Sequence, residues 1–124
     1  MKHFIALLLT LSLSACNLTE EIPSFYDDNE SKAVVDLALE VRSLNCDSQL
    51  VKHHVNKISR DLDWLITYTE LKGTDDVYTV LMVVEGTLEG MKSRKTISTP
   101  YCELKKKNLI TQTDAVAKAV FRRY

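Results

Sequence analysis

The residues to weigh for general acid–base work are His53 and His54, with the paired acids Asp61 and Asp63 in the same stretch. Histidine is the side chain that ordinarily titrates near neutral pH. These two are adjacent, so on a helix they point about 100° apart and do not converge on one ion. Asp61 and Asp63 diverge for the same reason. The three cysteines, Cys16, Cys46 and Cys102, contain no CxxC pair, which does not fit the usual spacing of zinc ligands. There is no Gly-rich phosphate loop, no HExxH and no serine in a nucleophile-elbow setting. This inventory predicts no enzyme activity, no metal, no cofactor and no small-molecule substrate. The run Lys105, Lys106 and Lys107 offers charge for lipid phosphates, or a solvated face.

The chain's start defines where such a protein would work. Lys2 and His3 precede an apolar run over residues 4–13, followed by the small residues Ser14 and Ala15, a signal-peptide pattern. The run is shorter than the roughly 20 apolar residues that a spanning helix needs. Leu13-Ser14-Ala15-Cys16 resembles the bacterial lipoprotein lipobox, and that resemblance implies cleavage before Cys16 and lipid on its sulfur. In lipoproteins of this kind an Asp after the lipidated cysteine favours inner-membrane retention. Asn17 stands there, so the resemblance implies the outer membrane, with the rest of the chain in the periplasm.

Removal of residues 1–15 leaves 109 of the 124, enough for one domain with one modest core. The remainder carries fifteen basic and seventeen acidic side chains, a formal charge of about −2, which does not suggest nucleic acid as a partner. The charge is unevenly spread. Residues 16–50 hold eight acids against Lys32 and Arg42, while residues 92–124 hold nine bases against Glu103 and Asp114. Either the two regions attract one another across the fold, or the basic region awaits an acidic partner. With Cys16 lipidated in an oxidising compartment, Cys46 and Cys102 are left as an even pair and are expected to be joined.

Hydrophobic periodicity predicts an all-α domain, a small compact bundle of about four helices over residues 30–124, after a signal peptide (1–15) and a lipidated tether (16–29). Phe25 and Tyr26 are the tether residues expected to dock on the domain. Val34, Leu37, Ala38, Val41 and Leu44 recur at three and four, giving a first helix over 30–44 capped by Asp28 or Asn29. Val51, Val55, Ile58, Leu62, Leu65 and Ile66 give a second over 49–72, with Asp47 or Ser48 as cap and Gly73 closing it. Val77, Val80, Leu81, Val84, Leu88 and Met91 keep helical spacing, although the composition of 77–84 also suits a buried strand. The stripe's continuation through Met91 decides for helix. Gly86 and Gly90 share one face of it, where close approach of another backbone would explain their presence. Residues 93–101 read as a loop, 102–108 as a short turn, and Thr111 with Asp114 as a capping box opening the last helix.

The second helix carries another apolar row, Trp64, Tyr68 and Leu71, nearly opposite its main stripe, with His53 and Arg60 at its polar edges. Such a row is either core or a partner face, and the absence of catalytic motifs directs the functional expectation to the second. The segment Gly86-Thr87-Leu88-Glu89-Gly90-Met91, then Tyr101-Cys102 and a Val-rich final helix, resembles the small helical immunity proteins that neutralise periplasmic type VI secretion effectors. The likeness covers about 45 residues of the chain and departs from the family in the placement of its second cysteine and in the lipobox. It implies an outer-membrane-anchored module whose partner is a protein. Size, lipobox, helical pattern and one disulfide are also similar to pilotins, the lipoproteins that escort secretin subunits. A plasmid or phage exclusion lipoprotein is a third possibility of the same binding class.

Overall fold

The computed structural model describes residues 27–122. Cys16, Asn17, Phe25, Tyr26, Arg123 and Tyr124 lie outside the described residues. Four helices follow in order: α1 Asp28–Ser43, α2 Val51–Lys72, α3 Asp75–Lys92 and α4 Thr99–Phe121.

Helix α1 starts two residues earlier than the pattern of apolar positions indicates. Asp27 is its N-cap, and its carboxylate accepts from the backbone N–H groups of Asn29 at 3.0 Å and Glu30 at 3.1 Å. That satisfies two of the donors every helix start leaves open, so Asp28 and Asn29 form the first turn instead of the tether's end. Helix α2 begins at Val51 because Ser48 caps a turn before it, its hydroxyl accepting from the N–H of Leu50 at 3.1 Å. Leu50 at the N-cap position has no side-chain cap. The C-terminal expectation holds. Gly73 takes φ 76°, and its N–H reaches the carbonyls of Thr69 and Glu70, a left-handed close that glycine adopts without a Cβ penalty.

Residues 77–84 are helical, and Val77, Leu81, Val84, Leu88 and Met91 are all buried along α3. The larger correction concerns α4. It is one continuous helix from Thr99, so the loop is confined to residues 93–98 and no new helix opens at Thr111. Pro100 sits in the first turn, where its missing N–H leaves no bond unmade. Thr111 does not cap; its hydroxyl donates back to the Lys107 carbonyl at 3.3 Å, and that of Thr113 to Leu109 at 2.8 Å. Asp114 instead pairs with Arg42 of α1 at 2.6 Å. That pair joins a front base to a back acid, the reverse of the attraction expected from the charge distribution. The acids of α1 turn mainly to lysines of α1 and α2.

Each helix packs on its chain neighbour and α4 closes back on α1, while neither diagonal pair approaches closely. Links between ends fix the directions: Lys72 reaches Asp27, Lys52 reaches the carbonyls of Arg94 and Lys95, and Cys46 is bonded to Cys102. The result is an up-down-up-down four-helix bundle. One end gathers the starts of α1 and α3; the other gathers the starts of α2 and α4. The core is a single cluster drawn from all four helices, centred on Leu37, Ile58, Leu62, Leu81, Leu88 and Leu109. Gly86 lies outside it, with open space where a Cβ would sit, and Gly90 faces only the Tyr101 hydroxyl at 3.7 Å. Among the described residues no second backbone uses the room these glycines leave.

Candidate protein-binding face

Of the row Trp64, Tyr68 and Leu71, none is fully buried. Trp64 is 52% and Leu71 85% exposed, and Tyr68 is half-buried. The row is therefore not core within the described chain. Trp64 and Tyr68 stack with ring centroids 5.1 Å apart and planes 14° from parallel. Together with Asp63, Thr67 and Leu71 they line a shallow depression of about 330 Å³. Trp64 also forms a wall of a second, larger groove of about 500 Å³ between α1 and α2, which Leu39, Lys32, Asp36 and Asp61 help to line. Leu39 is itself 58% exposed. One tryptophan thus joins two concavities, a mainly apolar depression and a groove of mixed polar and apolar lining. Arg60 and His53 are exposed on the same helix but line neither of these two concavities.

Two polar clusters border this face. At its lower edge the Tyr68 hydroxyl donates to Asp27 at 2.8 Å, and the Lys72 ammonium bridges Asp27 at 2.9 Å and the buried Glu30. Burial pushes the Asp27 carboxyl up, but the bonds from Lys72, the Glu30 N–H and Tyr68 outweigh it and hold the group at about 2. The same bond to Asp27, with partial burial, pushes the Tyr68 phenol above its ordinary value. Burial lowers the Lys72 ammonium, yet Glu30 and Asp27 raise it on balance. Along the groove, Glu40 accepts from Lys57 at 2.8 Å and meets His54 at 3.0 Å, while Lys57 also reaches Asp61 at 3.0 Å. The bonds from Lys57 and then His54 hold the Glu40 carboxyl below its usual range. His54 is thereby tied to α1, and His53 points elsewhere on the helix surface.

Asp27 and Glu30 carried a legible signal, since an Asp followed three residues later by Glu before an apolar run marks a helix start. Lys72 joins them, from 42 residues beyond Glu30, a link only the bundle's topology creates. Cys46 and Cys102 are bonded, with Cα atoms 5.6 Å apart, inside the usual range for a disulfide. Cys16 lies outside the described residues.

No group of three or more His, Cys, Asp or Glu positioned for a metal ion occurs among the described residues. None of their helices is long and apolar enough to cross a membrane. No protein-family model matches the sequence, and no curated protein or solved structure matches it significantly.

Proposed function

We propose that this chain is a protein-binding module of the periplasm, lipid-anchored at the outer membrane through Cys16, and that its partner docks on the Trp64–Tyr68–Leu71 face. The observation that supports it most is the exposure of a stacked tryptophan and a leucine in one depression, beside a groove that shares the tryptophan. Aromatic side chains are enriched among the residues that dominate interface energies. The rigid polar framework around Asp27 and Glu40 supports the same reading, because a pre-organised face loses less entropy on binding. The proposed partner class is a periplasmic effector that the module neutralises, as the resemblance of residues 86–91, Tyr101-Cys102 and the final helix implies. A secretin subunit is the second reading, favoured by the single disulfide in an all-helical bundle.

Site-specific photo-crosslinking in the source cells tests the face. A crosslinker at Leu71 is expected to capture one discrete protein, and a crosslinker at Val83 on the outer surface of α3 is expected to capture none. Capture at Val83 alone contradicts the proposed face. The captured protein's own activity, toxin or secretin, separates the two partner classes. Intact-mass spectrometry of the mature chain tests the anchor. An unmodified Cys16 in a soluble fraction contradicts it.

A further inference from the structure

We propose that the end of the bundle opposite Asp27 is a second docking surface, independent of the Trp64 face, and that it takes an acidic segment of a protein partner. Lys52, Arg94, Lys95, Lys105 and Lys106 gather there from α2, the α3–α4 connection and α4. Among the described residues none of the five is ion-paired with a carboxylate. Asp47 and Glu103, the acids closest to them in the chain, are exposed and pair with none of the cluster.

What orders these cations is backbone and ring. The Arg94 guanidinium lies over the Tyr101 ring, 3.7 Å from its centroid, and the Lys105 ammonium lies 5.6 Å from the same centroid. Lys52 donates to the carbonyls of Arg94 at 2.9 Å and Lys95 at 3.4 Å, and Lys106 to that of Leu44 at 2.8 Å. The Cys46–Cys102 bond ties the α1–α2 connection to the first turn of α4. The surface is therefore pre-organised and its positive charge is not neutralised.

The occupant follows from the layout. Discrete cations on three separate segments, with Arg94 and Lys105 over one aromatic ring, suit carboxylates presented at residue spacing. A flat array of phosphates would be met better by a continuous basic strip on one helix face.

The test uses the full chain, unlipidated, with three probes at low and at physiological salt: a labelled peptide of alternating glutamate and glycine, the matching lysine peptide, and vesicles of phosphatidylglycerol with phosphatidylethanolamine. Two variants of equal net charge are compared, Arg94→Glu with Lys105→Glu, and Lys118→Glu with Arg122→Glu at the Asp27 end. The proposal expects the acidic peptide to bind, more weakly as salt rises, and the first variant to weaken it at least about tenfold with the second changing it less than about threefold. Equal losses in the two variants would mean that net charge alone is read, and would overturn it. So would failure of the wild type to bind the acidic peptide, or a preference for the vesicles. If the first variant has lost its unfolding transition, the glutamine versions of the same two residues replace it, and a loss below about twofold overturns the proposal. Cys16 lipidation is measured separately by mass, so a failed anchor and a failed surface give different results.

Discussion

The two ends of this bundle treat charge in opposite ways. At the end where α1 and α3 begin, both first turns are acidic, with Asp28 and Glu30 in one and Asp75 and Asp76 in the other. Acids there face the positive ends of two helix dipoles. Asp27 and Glu30 are further locked by Lys72. At the end where α2 and α4 begin, neither first turn holds an acid and neither N-cap side chain bonds the backbone. A disulfide fastens this second end, and two of its lysines donate to backbone carbonyls just beyond the last residues of α1 and α3. In the first end the charges are part of the fold's stability. In the second the stability comes from a covalent bond, which leaves the charges available for something outside the chain.

This contrast can be broken most severely at the bond. Closing 56 residues of chain stabilises a fold by about 4 kcal/mol in the chain-entropy model. Replacing Cys46 and Cys102 by Ala is expected to lower the unfolding free energy by about that amount in denaturant titration. A loss below about 1 kcal/mol would mean that the second end is held by packing alone. The next effect belongs to the first end. Lys72→Met removes the partner of Glu30, whose side chain is 2% exposed, and is expected to cost about 3 kcal/mol by leaving a buried carboxylate uncompensated.

A pH titration sharpens the same contrast. The carboxyl of Asp27 stands at about 2 in the folded chain against an ordinary 3.8. A depressed carboxyl stabilises fully above its unfolded pKa and stops doing so as pH falls through the folded one. Asp27→Asn is therefore expected to cost about 2 kcal/mol at neutral pH, with the difference from wild type vanishing between about pH 4 and pH 2. A difference independent of pH would reduce Asp27 to a neutral cap. The smallest expected effect is at the second end, where Lys95→Ala should change stability by no more than about 0.5 kcal/mol. A larger loss would make that cation a structural element and remove the contrast.

The helices α2 and α3 were legible because each turn contributes an apolar residue to one stripe, so the period shows above the local preference for strand in 77–84. The first half of α4 was not. Between Cys102 and Leu109 no fully buried residue intervenes, and Pro100 and three lysines resemble a loop's composition. Its Glu, Leu and Lys residues are good helix formers and Pro100 suits a first turn, so the helix there lacked only an apolar stripe. Trp64, Tyr68 and Leu71 were legible as a row by spacing, but their exposure depended on which helices stand beside α2. The link of Lys72 to Asp27 and Glu30 needs two helix ends to meet, and no local pattern encodes that meeting.

The most direct measurement of the binding-face account is the paired effect of Trp64→Ala on stability and on affinity for the protein captured through Leu71. Because the ring is 52% exposed and stacks on a single neighbour, the account predicts a stability loss below about 1 kcal/mol. It predicts an affinity loss of about 2 kcal/mol or more, roughly thirtyfold. A stability loss of about 3 to 5 kcal/mol with affinity unchanged would contradict it.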